Sequence, residues 1–363
     1  MSRLKSRIVG LIEALGPLPV SEYMALCLSD PQDGYYMTRP PFGREGDFTT
    51  APEISQMFGE LIGAWIAATW QAIGAPEQTM VVEIGPGRGT LMKDIARTLG
   101  KIAPDLGESG GFRLIETSER LAATQAATLG QAARQRFEWH KDIDELPAKP
   151  MIIVGNELFD AIPVRQYVKT AGGWRERAVG ADGAGNLQFV AGAGSVDASL
   201  LPPDAAAAPE GAIVELAPAR SALMQKVAER IAGHGGAGLF IDYGHATSAV
   251  GDTLQALLKH AYDDPLAHPG EADLTTHVDF AALAQAARHA GLQAHLLAQG
   301  DFLLRMGLLE RAGKLGANAS QEVRDRLTGE VERLAAPDQM GQLFKVLAIM
   351  PPGVAAPGFP AAN

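Results

Sequence analysis

Two short stretches of this chain hold residue types whose spacing could do chemistry. The first is TMVVEIGPGRGTL, residues 79–91, in which the carboxylate Glu83 precedes glycines at alternate positions, Gly85, Gly87 and Gly89. The apolar run Met80-Val81-Val82 reads as a buried strand and the glycines as a tight turn. Leu91, Met92, Ile95, Ala96 and Leu99 then read as the inner stripe of a helix. Glycine lets the backbone turn sharply and lets a ligand approach where a Cβ would collide. The helix start offers free N–H groups to polar ligand atoms. The second stretch is Asn156-Glu157-Leu158-Phe159-Asp160. Two carboxylates three residues apart at a strand exit could clamp a planar cation, with the Asn156 carbonyl as a further acceptor.

The glycine spacing bears on the ligand. A dinucleotide fingerprint, G-x-G-x-x-G, would place its last glycine at position 90, which is Thr90. The form E-x-G-x-G-x-G instead resembles the first motif of Rossmann-like S-adenosylmethionine (AdoMet) methyltransferases. A cationic sulfonium and an amine sit there in place of a pyrophosphate, so an acid nearby is helpful. On that reading Glu83, Gly85, Gly87 and Gly89 bind cofactor. Glu116 ends a strand predicted over 112–115, where Rossmann-like folds place the acid that receives ribose hydroxyls. Asp142, just past a strand predicted over 137–140, is expected to face the adenine amino group, with Asp144 and Glu145 beside it. The competing readings are an ordinary strand-to-helix turn and solvated strand-end acids.

Methyl transfer from a sulfonium is an in-line displacement, served mainly by positioning and electrostatics. It needs no metal, and His140, His234 and His245 show no ligand spacing. Arginine is the demanding amine substrate, because it arrives protonated and planar. Glu157 and Asp160 could clamp a guanidinium and localise a lone pair on the attacking nitrogen, with Asn156 as acceptor. Asp160 could instead cap a helix or turn. Asp242 and Tyr243, at the end of a later strand, are secondary candidates. The polar segment HAYDDPLAHPGEADLTTHVDF, residues 260–280, is a candidate substrate-recognition loop.

The elements that must position these groups alternate. Strands are expected at 80–84, 112–115, 137–140, 151–154, 239–242, 293–298 and 344–350, with helices at 119–135, 219–231 and 278–290 between them. That pattern predicts an α/β, Rossmann-like fold with a seven-stranded, mostly parallel sheet, its ligands at the carboxyl ends of the strands. Residues 1–79 read as a helical cap. The methyltransferase domain is expected over 80–350, with insertions at about 161–217 (antiparallel), 243–277 and 301–342, and a disordered tail at 351–363. Tyr35-Tyr36 reads as a core-edge aromatic pair, and the loop 46–50 is a candidate cover for the cofactor.

The 363 residues carry a formal charge of −11, which excludes a general affinity for nucleic acid and is compatible with a basic peptide substrate. No apolar run approaches the ~20 residues that span a bilayer, so no membrane insertion is expected. The single cysteine, Cys27, rules out an internal disulfide framework and reads as a small buried side chain. The start, MSRLKSRIVGLIEAL, reads as a short amphipathic helix without a signal-peptide core, and a cytoplasmic protein is the expectation.

GDFTTAPEISQMFGELIGAW, EIGPGRGTLMKDIAR, GNELFDAIPVRQY, DTLQALLKHAYDDPLAHPGEADLTTHVDF and MGQLFKVLAI, taken together, resemble the MidA-like family of AdoMet-dependent methyltransferases. The resemblance is collinear from about residue 15 to 350. It implies a class I methyltransferase fold with helical additions. It also implies symmetric omega-N dimethylation of an arginine in the quinone-site core subunit of respiratory complex I, during assembly. By position, Gly85, Gly87 and Gly89 fall on the family's AdoMet motif, and Asn156, Glu157 and Asp160 on its post-strand motif. The rival readings are a methyltransferase with another protein or small-molecule substrate, and a non-catalytic AdoMet-binding assembly chaperone. A nicotinamide-dependent oxidoreductase is disfavoured by Thr90.

Overall fold

Seven apolar runs form the continuous path of an eight-stranded sheet. In the computed structural model, which describes residues 2–38, 50–130 and 137–360, they are β1 (Met80–Ile84), β2 (Phe112–Ile115), β3 (Phe137–His140), β4 (Met151–Asn156), β5 (Gly236–His245), β6 (Gln293–Ala298) and β7 (Phe344–Met350). The strand order is β3-β2-β1-β4-β5-β7-β6. The first five run parallel, β1 against β2 and β4, β2 against β3, and β4 against β5. The last strand, β7, is antiparallel to both of its neighbours, β5 and β6. All five residues of β1 are buried, as expected of a parallel strand covered on both faces. The seven expected strands therefore lie side by side in one mostly parallel sheet.

By contacts the chain divides into two compact units. One comprises Met1–Phe48, Phe159–Ala222 and Thr247–Asp279; the other, which holds the sheet, comprises Thr49–Leu158, Leu223–Ala246 and Phe280–Asn363. The helix Gln56–Ala72 thus belongs with the sheet rather than with the N-terminal residues. Small residues one turn apart explain its seat. A Cβ at Gly59 would stand 2.6 Å from Asp94 Cβ, and one at Gly63 would stand 3.0 Å from Thr98 Cβ, so this helix and Thr90–Ile102 approach closely. Trp65, Phe58 and Ile62 on the same helix are fully buried in the sheet unit's core, each contributing roughly 1.5–3 kcal/mol by burial.

Of the tail 351–363 expected to be disordered, residues 361–363 lie outside the described residues and the rest departs from that expectation. Pro351–Pro360 is ordered against the sheet unit rather than disordered: Trp65 Nε1 donates to Pro357 O at 3.1 Å, and Phe359 lies 5.5 Å from Phe302, ring to ring. Its proline and glycine content suggested disorder, but an aromatic and a buried indole N–H needing an acceptor hold it down.

The other unit is built from the antiparallel strands Arg165–Thr170, Gly173–Ala181, Leu187–Ser195 and Ile213–Leu216, joined by Leu18–Pro19, and from a small sheet of Gln255–Leu258, Ala261–Asp263 and Asp273–Thr275. Its core includes Leu4, Ile8, Tyr23, Met24, Tyr35, Val164, Val179 and Leu274. Tyr35 and Tyr36 pack edge to face at 5.2 Å, and the Tyr36 hydroxyl donates to Asp273, so the pair is a core-edge feature. No helix among the described residues is long and apolar enough to cross a membrane.

Candidate active site

The parallel ladder delivers five strand exits to one edge of the sheet, and main-chain hydrogen bonds continue past the strands to pin them. Gly85 N–H donates to Ile115 O at 3.1 Å, Glu116 N–H to His140 O at 2.9 Å, and Glu157 N–H to Ile241 O at 2.8 Å. At β1 the three glycines all take positive φ, +68° at Gly85, +53° at Gly87 and +81° at Gly89. No side chain adopts that run of conformations cheaply, which is why the turn needs glycine. Gly89 caps the helix Thr90–Ile102.

Glu83 is a buried strand residue, 2% exposed. Burial pushes its carboxyl up to about 8, against the Met92 N–H hydrogen bond that pulls it down. Its Oε2 has no hydrogen-bond partner among the described residues. A buried acid with an orphaned oxygen can ionise against a ligand that brings positive charge, which would pull its pKa back down.

Glu116 sits at the end of β2 with both oxygens held, Oε1 by the Ser118 N–H at 2.8 Å and Oε2 by Gln125 Nε2 at 3.0 Å. Burial raises its pKa and these donors oppose the rise. Asp142, in contrast, is committed elsewhere. It caps the turn Ile143–Glu145 by accepting from the Asp144 N–H at 2.8 Å, and it pairs with Lys226 Nζ at 2.6 Å. Its side chain is 54% exposed, and these contacts do not single it out as an adenine acceptor.

At the end of β4, Glu157 takes φ +50°, a left-handed conformation that costs a non-glycine residue about 1–2 kcal/mol. Its Oε1 accepts from Asn156 Nδ2 at 2.9 Å and from the Ala51 N–H at 3.3 Å. Asn156 Oδ1 is buried and has no hydrogen-bond partner among the described residues. The short helix Ala51–Ile54 joins the two constellations. Glu53 Oε1 accepts from the Thr90 hydroxyl at 2.7 Å and its Oε2 lies 3.5 Å from Arg88 Nη1, while the Ala51 N–H reaches Glu157. The sequence reading missed Glu53. Of the loop 46–50 expected to cover the cofactor, residues 46–49 lie outside the described residues. Asp242 is buried in β5 and accepts from the Tyr243 N–H at 2.9 Å, and Tyr243 packs on Phe344.

Asp160, six per cent exposed, lies in the other unit, where its main-chain carbonyl accepts from Arg220 Nη2 at 2.9 Å and from the Thr276 N–H at 3.2 Å. Arg220 is 1% exposed and also donates to Ile162 O and His277 O, both at 2.9 Å, and to Thr276 Oγ1. It fastens the post-strand motif to the end of the polar segment 260–280. Arg220 and Gln125, like Glu53, carry no motif and escaped the sequence reading. For Gln125 a signal existed: it stands one turn after Leu121, and those two are the buried positions of the helix Glu119–Leu129.

Comparison with known proteins follows the same outline. Residues 61–298 match the family model of S-adenosyl-L-methionine-dependent methyltransferases. The chain is 34% identical over 373 residues to protein arginine methyltransferase NDUFAF7, mitochondrial, of Danio rerio, covering 96% of this chain and 86% of that one. It is 35% identical over 384 residues to the Drosophila melanogaster homolog, covering 97% and 86%. A crystal structure from Burkholderia thailandensis, bound to S-adenosyl-homocysteine, superposes with a TM-score of 0.85 at 30% identity, covering 99% of this chain and 95% of that one. The curated relatives are named as mitochondrial, which overturns the expectation of a cytoplasmic protein. That expectation rested on the composition of the first residues, and an address is not written in the fold.

Proposed function

The chain belongs to the family of S-adenosyl-L-methionine-dependent methyltransferases, and from that premise we propose that it methylates the guanidinium of an arginine in a protein substrate. The cofactor supplies an activated methyl group on a sulfonium. The residues present fit it: glycines at positive φ leave the turn open, and the unpartnered Glu83 Oε2 is an acceptor for a cationic ligand. Glu83, Gly85, Gly87 and Gly89 would hold its amino-acid portion and Glu116 its ribose hydroxyls.

One observation carries the arginine reading. Asn156 spends its amide hydrogen on Glu157 Oε1 at 2.9 Å and leaves its own carbonyl oxygen buried without a protein partner among the described residues. A buried acceptor in that state costs about 1–3 kcal/mol unless a donor arrives. A guanidinium carries five N–H donors and no acceptor, and it matches an acceptor set of one carboxylate and one amide oxygen. Glu157 would pin the charge and help localise a lone pair on the attacking nitrogen. Asp160 is retained as the second carboxylate on its spacing in the sequence alone. The relatives' names, protein arginine methyltransferase, support the same substrate class. We assign the quinone-site core subunit of complex I as that substrate on the family resemblance.

The test is incubation with methyl-labelled AdoMet and the recombinant quinone-site subunit, followed by mapping of the label. Label on one arginine, lost in Gly87→Val and Glu157→Gln, is the expected result. AdoMet binding without any label would move the assignment to another substrate or to a non-catalytic assembly role.

A further inference from the structure

Gln125 is fully buried on the helix Glu119–Leu129, and both ends of its amide are engaged. Nε2 donates to Gly87 O at 2.9 Å and to Glu116 Oε2 at 3.0 Å; Oε1 accepts from Trp139 Nε1 at 2.8 Å. Chemistry alone fixes which way the amide faces. The indole N–H can only donate, and the Gly87 carbonyl and the Glu116 carboxylate are acceptors, so the opposite amide orientation would lose all three bonds. The glycine turn also rests on this residue: a Cβ at Gly89 would stand 3.3 Å from Gln125 Cα and 3.4 Å from its Cβ.

We propose that Gln125 is a positioning residue of the cofactor site, one side-chain amide that sets the glycine turn of β1 and the carboxylate ending β2 in register and ties both to Trp139 of β3. The inference rests on the reading of Glu116 as the acceptor of the ribose hydroxyls. The Ser118 N–H holds one oxygen of Glu116 and Gln125 the other, so the carboxylate keeps one orientation before ligand arrives. Preorganisation of that kind lowers the ordering cost of binding. A glutamate at position 125 would face the Glu116 carboxylate and the Gly87 carbonyl with like charge. A leucine would fill the volume and leave a carbonyl, a carboxylate oxygen and an indole N–H unsatisfied.

The experiment is calorimetric titration of S-adenosylhomocysteine and of its 2′,3′-dideoxyribose analogue into the wild-type chain, Glu116→Ala, Gln125→Leu and Trp139→Phe, each checked for folding by circular dichroism. The wild type is expected to prefer the hydroxylated ligand by about tenfold or more. Gln125→Leu should bind S-adenosylhomocysteine about ten- to hundredfold more weakly and lose most of that preference. In turnover it should raise the KM for AdoMet far more than it lowers kcat. A merely structural role would weaken both ligands alike, and a preference left intact in folded Gln125→Leu, while Glu116→Ala loses it, overturns the proposal alone. A preference that survives Glu116→Ala overturns the ribose reading first. Should Gln125→Leu not fold, Trp139→Phe decides, because it removes one of the three bonds and keeps an aromatic ring. A narrowed preference there supports the proposal and an unchanged one refutes it.

Discussion

Asn156 Nδ2 donates to Glu157 Oε1 across 2.9 Å, and the residue that accepts is the one held at φ +50°. The strain and the polar contact belong to the same residue. A backbone kept in a costly conformation at a strand exit is a common mark of a working site. Replacing Glu157 by glycine and by alanine separates the two contributions. Both variants should lose methyl transfer, by at least about a hundredfold. Glu157→Gly should nonetheless be more stable than Glu157→Ala by about 1 kcal/mol, since glycine takes the left-handed conformation freely. Equal stabilities in urea melts would remove strain from the account.

The glycine turn makes a matched prediction. An alanine at Gly85 would be forced to φ +68° and would bring its Cβ to 2.9 Å from Leu158 Cδ1. At Gly100, in the interior of the helix Thr90–Ile102, an added methyl group would meet nothing within 4 Å. Gly85→Ala should therefore weaken S-adenosylhomocysteine binding, whereas Gly100→Ala should leave binding intact and add about 0.5–1 kcal/mol of stability. Calorimetry and thermal melts on the pair check both halves.

Glu83 links stability to pH. Its carboxyl, pushed up to about 8 by burial, favours the folded chain fully below the unfolded value of about 4.3 and loses that contribution as pH rises toward 8. Glu83→Gln cannot ionise, so its stability relative to wild type in ligand-free melts should grow across that window, to on the order of 1–3 kcal/mol near neutral pH. The same change should weaken binding of the cationic cofactor more than that of S-adenosylhomocysteine, which lacks the sulfonium charge. Parallel stability profiles from acid to neutral pH would contradict the buried-acid assignment.

Arg220 spreads its guanidinium over Asp160 O, Ile162 O, His277 O and Thr276 Oγ1 with 1% exposure. Lysine cannot reproduce that planar fork. Arg220→Lys should cost about 2–4 kcal/mol in urea unfolding. A loss below about half a kilocalorie per mole, roughly the scatter of surface changes, would show that the two segments hold together without it.

Removal of the chain from residue 351 onward tests the ordered segment Pro351–Pro360. It deletes the acceptor of Trp65 Nε1 and the Phe359 ring beside Phe302, and it should lower stability by about 1–3 kcal/mol. An unchanged melting temperature would return the tail to the disordered class.

Short-range pattern alone located the strands and the chemistry local to them. Phe112–Ile115, Phe137–His140, Gln293–Ala298 and Phe344–Met350 fall where hydrophobic runs and turn residues put them, because a buried strand is written in neighbouring residues. The glycine turn was legible for the same reason: alternating glycines after an apolar run leave few other conformations. What depends on partners distant in the chain was settled by the fold. Asp142 and Glu116 look alike as strand-end acids, yet one meets Lys226, 84 residues away, and the other meets Gln125. Gln125 itself is one more polar residue on a helix until the fold brings Gly87, Glu116 and Trp139 around it. The left-handed backbone at Glu157 is likewise invisible in the sequence, because no residue type announces a strain that its surroundings impose.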